Sequence, residues 1–91
     1  MIVISINVQK RLLKASTAFE KLMDCEKIDI ALLQETDIRA HETPPVMKGY
    51  SSIAHRNKAG VARAIIYVKD SLKPTKIEWE EELPIVIIRL R

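Results

Sequence analysis

Several features of secreted, zinc-binding or membrane proteins are scarce in this sequence of 91 residues. It has one cysteine, Cys25, which excludes an internal disulfide and favours a reducing, intracellular setting. His41 and His55 lack the close cysteine and histidine spacing of a zinc site. No apolar run is long enough to span a membrane, and residues 1–6 lack the charged start and cleavage site of a signal peptide.

The remaining composition is that of one soluble globular domain, with 47% hydrophobic and 30% charged residues. The net charge of +3 suits contact with phosphate. It does not identify a nucleic-acid partner, because twelve acidic residues nearly balance fifteen basic ones. A domain of this size buries a modest fraction of its surface, so a sheet covered on both faces needs a partner or more chain.

The first third of the chain predicts a strand, a helix and a second strand. Residues 2–6 are apolar and mostly β-branched, which is typical of a buried strand. From Leu12 onwards apolar residues recur every three or four positions, which predicts an amphipathic helix ending near residues 24–27. Residues 28–33 then predict a strand buried on both faces. Two such strands joined by a helix are expected to lie parallel.

Both predicted strands end in polar residues. Asn7 follows the first strand, and Gln34 and Glu35 follow the second. An unpaired carboxylate is costly to bury, so Glu35 is expected to emerge at the carboxyl edge of the sheet. Since adjacent parallel strands end at the same edge, Asn7 and Glu35 are predicted to face one ligand there. The alternative is that both are ordinary residues at strand ends.

The rest of the chain predicts a loop at residues 37–48 and then four more strands, which gives an α/β (α+β) fold. Gly60 is placed to take a positive φ angle in a hairpin turn. Cys25 and Trp79 are expected to be packing residues in the core or half-buried. The four strands are predicted at residues 50–56, 62–69, 76–80 and 84–91, with a solvated acidic turn at residues 80–82.

Three segments along the chain carry a family resemblance. Residues 5–9 read Ser-Ile-Asn-Val-Gln, and residues 30–36 read Ile-Ala-Leu-Leu-Gln-Glu-Thr. A Gly-Tyr pair at residues 49–50 precedes the hairpin. In this order they resemble the endonuclease/exonuclease/phosphatase family, whose domains are similar to DNase I. Residues 1–91 thus resemble one partial domain, the first half of a DNase I-like α/β sandwich.

Finer details resemble one branch of that family. Residues 6–9, 14–18 and 62–68 look like segments of the endonuclease domain of non-LTR retrotransposon reverse transcriptases. This resemblance implies a DNA-nicking phosphodiesterase, with DNA and the remainder of the domain or polyprotein as partners. It implies a nuclear location; no membrane partner is expected, because no apolar run has spanning length. Relatives acting on abasic DNA, inositol phosphates or sphingolipids share the opening motifs, so the substrate stays open.

The resemblance also implies roles for particular residues. Glu35 would be the acidic ligand of Mg²⁺ or Mn²⁺, and Asn7 would help to fix the metal or the scissile phosphate. Gln34 and Gln9 would support these two by hydrogen bonding. Three basic residues could meet a DNA backbone or could simply be solvated: Lys58, Arg63 and Lys69.

The chain differs from the family pattern at positions that catalysis needs, so it is expected to be inactive on its own. Gln9 stands where relatives have another acid or amide, and it cannot act as a base. The family's general base, its Gly-Asp-Phe-Asn-like segment and its Ser-Asp-His-like ending have no counterpart here. General-base assistance contributes roughly 10²–10⁴-fold, so this polypeptide alone is expected to hydrolyse almost nothing. The alternative function is a small non-catalytic α/β interaction module that pairs through its sheet edge.

Overall fold

The computed structural model describes residues 1–77 and 87–89. These residues form one helix, a four-stranded sheet and a separate two-stranded sheet, so the predicted mixed α/β architecture is confirmed. A short 3-10 turn at Asp70–Leu72 follows the fourth strand. The elements are β1 (Val3–Asn7), α1 (Leu12–Cys25), β2 (Ile30–Ile38), β3 (Tyr50–Arg56), β4 (Ala62–Lys69), β5 (Thr75–Ile77) and β6 (Ile87–Arg89).

The strand order in the main sheet is β1-β2-β4-β3. Strands β1 and β2 are parallel and adjacent, as predicted, with a register that runs from Val3 opposite Ile30 to Asn7 opposite Gln34. Strand β4 lies antiparallel between β2 and β3. The carboxyl end of β1 therefore lies beside Gln34, and β2 continues four residues further, to Ile38.

The hydrophobic core lies between α1 and one face of the sheet. Three helix residues at helical spacing, Leu12, Phe19 and Met23, are buried against it. The other face is less covered, since Leu32 remains 37% exposed. The expectation that residues 2–6 form a buried strand is wrong, because β1 lies at the edge of the sheet in the described part of the chain and its residues alternate between exposed and half-buried. Further core residues come from the strands and the loop after β2: Ala31, Leu33, Ile38, Met47, Ala62, Ile65 and Tyr67.

Strand β2 extends beyond its predicted end at residue 33 and continues to Ile38. The pairing of β2 with β4 is interrupted by a bulge. Gln34 pairs with Ala64 and Ile38 pairs with Ala62, so a step of four residues along β2 corresponds to a step of two residues along β4. Thr36 holds this bulge in place, because its buried hydroxyl donates a 2.8 Å hydrogen bond to the carbonyl of Ala62.

The β3–β4 hairpin matches the prediction at both strand boundaries. Its turn contains Gly60 at φ 80°, as expected. A side chain there would be strained and would also clash, since an added Cβ would lie 2.7 Å from the Cβ of Ala40. The Asn57 side chain closes the turn by accepting a 3.0 Å hydrogen bond from the Val61 amide.

The remaining predictions concern Cys25 and the C-terminal strands. Cys25 is exposed at the end of α1, so its expected burial is wrong. Strands β5 and β6 pair antiparallel; β5 begins one residue before the predicted strand at 76–80, and β6 lies within the predicted strand at 84–91. Trp79 and the acidic residues 80–82 lie outside the described residues. No helix in the described part of the chain has the length and apolar character needed to cross a membrane.

Asp29 connects three strands at the end of the sheet where β2 begins. Its carboxylate accepts a 2.7 Å hydrogen bond from the Ile2 amide and lies 3.4 Å from the ammonium of Lys69. Its carbonyl accepts a 2.9 Å hydrogen bond from the Lys69 amide. The hydrogen bond from the Ile2 amide lowers the pKa of Asp29 below its ordinary value, and the contact with Lys69 lowers it further.

We expect Asp29→Asn to lower the melting temperature at neutral pH and to have less effect in acid. Because the folded pKa of Asp29 lies below the unfolded one, its stabilisation is complete above the unfolded value. That stabilisation disappears as the pH falls through the folded value. Thermal unfolding of both proteins between about pH 7 and about pH 2 measures the difference. A difference that stays constant over this range would contradict the assignment.

Candidate functional site at the carboxyl rim of β1 and β2

The carboxyl ends of β1 and β2 are joined by backbone hydrogen bonds beyond the regular ladder. The Val8 amide donates to the Gln34 carbonyl at 3.0 Å, and the Lys10 amide donates to the Glu35 carbonyl at 2.7 Å. Asn7 and Gln34 are register partners, and Glu35 is the next residue. The segments after Asn7 and Gln34 are thus fastened together at one rim of the sheet, as predicted, although Gln34 and Glu35 lie within β2 and not after its end.

The bulge in β2 gives this rim an unusual backbone. Glu35 and Asp37 have φ angles of 53° and 49°, in the left-handed region, and Thr36 between them is buried. Opposite them, Gln9 and Lys10 have φ angles of 50° and 62°. These four are among the six non-glycine residues with positive φ that the structure describes. Such residues cost about 1–3 kcal/mol each and concentrate at functional sites.

A cavity of about 490 Å³ opens at this rim. It combines carboxylates from β2 with cationic side chains from the segments on either side of β2. Glu35 is exposed, and Asp37 is half-buried. Neither His41 nor His55 lines it. The lining residues are Lys10, Gln34, Glu35, Asp37, Arg63 and Ala64.

Of the three amide residues predicted to act beside Glu35 (Asn7, Gln9 and Gln34), Asn7 and Gln34 have side-chain contacts with other residues. The Asn7 side-chain oxygen accepts a 2.9 Å hydrogen bond from the Gln9 amide, which fixes the turn after β1. The Gln34 amide nitrogen makes a long 3.5 Å contact with the Ser5 hydroxyl. Among these three residues, only Gln34 lines the cavity with Glu35.

The fold of the chain was compared with solved structures. The chain is similar to the crystal structure of the AP endonuclease LMAP from Leishmania major, with a TM-score of 0.60 and 28% sequence identity. The match covers 81% of this chain and 26% of that one. No protein-family model matches the sequence, and no curated protein matches it.

The fold is that of part of a DNase I-like domain. The likeness to an AP endonuclease relates the chain to nucleases at a coarse level. It covers about a quarter of the neighbour's length, so it establishes neither the complete catalytic apparatus nor a substrate for this chain.

The donor atoms at the rim fit a hard divalent cation. Glu35 and Asp37 offer carboxylate oxygens, and Gln34 offers a carboxamide oxygen. Mg²⁺ is commonly bound by one or two carboxylates together with waters and substrate phosphates. Within the described residues no group of three or more His, Cys, Asp or Glu side chains is placed to hold a metal. In this part of the chain the remaining ligands would thus be water or phosphate oxygens.

The three basic residues suggested as DNA contacts lie in different places. Arg63 lines the cavity. Lys58 is in the hairpin turn, and Lys69 lies at the far end of β4, beside Asp29. Two charged cavity residues, Lys10 and Asp37, were not predicted as site residues from the sequence. The only signals for them are the basic pair after the first strand and an acid two positions beyond Glu35.

Proposed function

We propose that this chain is part of a divalent-metal-dependent phosphodiesterase domain that nicks DNA. In this proposal Glu35 is a ligand of Mg²⁺ or Mn²⁺, and Asn7 holds the scissile phosphate. The observation that carries it is the convergence of Glu35 and Asp37 on one cavity at the rim where β1 ends beside β2. The similarity to an AP endonuclease supports the nuclease class.

Each side chain has a definite task in this proposal. Glu35 and Asp37 provide anionic oxygens on one side of the cavity. Asn7 does not line the cavity but is the register partner of Gln34, which does, so its place in this proposal is at the margin of the cavity. Its oxygen accepts from the Gln9 amide, which leaves its amide nitrogen to donate to a phosphate oxygen there. A bound divalent cation would stabilise the negative charge that develops on the phosphate.

The proposal also covers the kind of protein to which the chain belongs and its hydrolytic activity. The likeness of residues 6–9 and 62–68 to retrotransposon endonucleases supports a mobile-element protein that acts in the nucleus. His41 and His55 do not line the cavity, so neither is placed to prepare a water molecule for attack. We therefore propose that the polypeptide alone binds metal and DNA but has almost no hydrolytic activity.

Metal binding by Glu35 can be measured directly. We expect Glu35→Gln to weaken Mn²⁺ binding by at least about tenfold, because the amide lacks the charge that attracts the cation. Isothermal titration calorimetry at millimolar Mn²⁺ provides the affinity. Glu20→Gln is the matched control, since Glu20 is an exposed acid on α1 and the change in net charge is the same. Equal Mn²⁺ affinities for the two variants would remove Glu35 from the site.

Glu35→Gly separates loss of metal from loss of fold. Glycine takes a φ angle of 53° without strain, so this variant is expected to be as stable as the wild type or about 1 kcal/mol more stable. It should nevertheless lose Mn²⁺ as Glu35→Gln does. Urea unfolding measures the stability, and a destabilised Glu35→Gly protein would show that the carboxylate has a structural role instead.

A further inference from the structure

We propose that Lys10 and Arg63 form a clamp for DNA backbone phosphates on the two sides of the Glu35 and Asp37 carboxylates. This inference rests on the proposed function and adds the residues that hold the substrate. It assigns a role to Lys10, which the sequence pattern did not indicate, and distinguishes Arg63 from the other surface cations.

The sheet topology places the two cations on either side of the carboxylates. Lys10 follows β1, and Arg63 belongs to β4, while Glu35 and Asp37 belong to β2. Since the strand order is β1-β2-β4, the acids lie between the segments that carry the two cations. All four residues line the same cavity.

These charges do not neutralise one another in the structure. Within residues 1–77 and 87–89, no ion pair joins Lys10 or Arg63 to Glu35 or Asp37. Lys69 provides a contrast, since its ammonium lies 3.4 Å from Asp29. Two cations and two anions around one cavity are therefore available to outside ligands.

A metal-bound phosphodiester matches this arrangement. A divalent cation would satisfy the two carboxylates, and the phosphate oxygens would meet the flanking cations. Arg63 can form two parallel hydrogen bonds to a phosphate through its planar guanidinium, and Lys10 offers a point charge. A cavity of about 490 Å³ is in the size range of small-ligand sites and can admit a sugar-phosphate unit.

The test measures binding of fluorescein-labelled duplex DNA to the intact chain by fluorescence anisotropy at several salt concentrations. The variants are Lys10→Asn, Arg63→Gln and the double substitution. Asparagine is chosen because it tolerates the left-handed conformation of Lys10, at φ 62°. Lys27→Asn is the matched control, because Lys27 is an exposed lysine with φ 51° at the opposite end of β2.

Each single variant is expected to weaken DNA binding by roughly threefold to tenfold and to reduce the salt slope by about one. Lys27→Asn should change neither. The Mn²⁺ affinity of Lys10→Asn and Arg63→Gln should stay the same or become tighter, because a nearby positive charge is removed. A purely structural role would weaken metal and DNA binding together and would contradict the clamp.

The outcomes separate this inference from the function on which it rests. If Glu35→Gln loses Mn²⁺ while the double variant binds DNA as Lys27→Asn does, the metal site stands and the clamp is wrong. If the clamp variants lose DNA binding while Glu35→Gln keeps Mn²⁺, the phosphate contacts stand without the metal role. A wild-type chain that binds no DNA at low salt would overturn the clamp as well.

Discussion

Replacing Tyr67 by alanine is expected to destabilise the protein by about 3–5 kcal/mol, which is a large share of the roughly 5–15 kcal/mol available to a small domain. Tyr67 is 1% exposed in the middle of β4. Its ring packs edge-on against Phe19 of α1 with the ring centres 5.7 Å apart. Its hydroxyl donates a 2.6 Å hydrogen bond to the Pro45 carbonyl. One side chain thus joins the sheet, the helix and the loop after β2.

Tyr67→Phe is the control that keeps the ring and removes only the hydroxyl. We expect it to cost about 0.5–1.5 kcal/mol, the usual net value of one hydrogen bond. Urea unfolding of the three proteins gives these differences. Equal stabilities for the phenylalanine and alanine variants would contradict the idea that ring packing dominates.

The same residue should impose a dependence on alkaline pH. Burial raises the pKa of Tyr67 to about 12, whereas an exposed tyrosine has a pKa near 10. Since the folded protein retains the proton longer, the stabilisation from the neutral hydroxyl is fully present below the unfolded pKa. It is lost as the pH rises towards the folded value. Tyr67→Phe should show a shallower fall in stability above about pH 10.

The hairpin and the shared rim could be predicted because turn chemistry determines the first and the pairing rule for two strands joined by a helix determines the second. Asn57 and Gly60 fit a tight turn, so the strands beside them were assigned at the correct residues. The approach of Asn7 to Gln34 follows from parallel pairing of two strands joined by a helix. Neither inference needs knowledge of the tertiary packing.

The bulge could not be predicted from the sequence. Its left-handed residues are Glu35 and Asp37; glutamate does not favour positive φ, and aspartate adopts it far less readily than glycine. The surrounding structure holds them there, through the Thr36 hydroxyl on the Ala62 carbonyl and the burial of Ile38. Asp37 was predicted to begin a loop because the sequence does not reveal this bulge. The bulge keeps Asp37 within β2, where it lines the cavity.

The exposure of β1 illustrates a second limit. A short run of β-branched residues has the same pattern whether the strand lies inside a sheet or at its edge. In the part of the chain described, β1 pairs with β2 on one side and has no partner strand on the other. Cys25 is a similar case, because its exposure depends on which side of α1 faces the sheet.

Arg56 provides the second large expected effect. Its guanidinium donates hydrogen bonds to three carbonyls: Arg39 at 3.0 Å, Gly60 at 2.6 Å and Glu42 at 2.8 Å. The first and last belong to the loop after β2, and the second belongs to the hairpin turn. This single side chain therefore fastens the loop that follows the bulge to the β3–β4 hairpin.

We expect Arg56→Ala to cost about 2–4 kcal/mol, since each hydrogen bond from a charged donor is worth about 1.5–3 kcal/mol and the three are not additive. Urea unfolding measures the loss, and limited proteolysis should cut faster within residues 39–49. Arg56→Lys should recover little, because an ammonium cannot reproduce the planar fork that reaches all three carbonyls. Full recovery by lysine would show that charge, and not the geometry of the guanidinium, holds the loop.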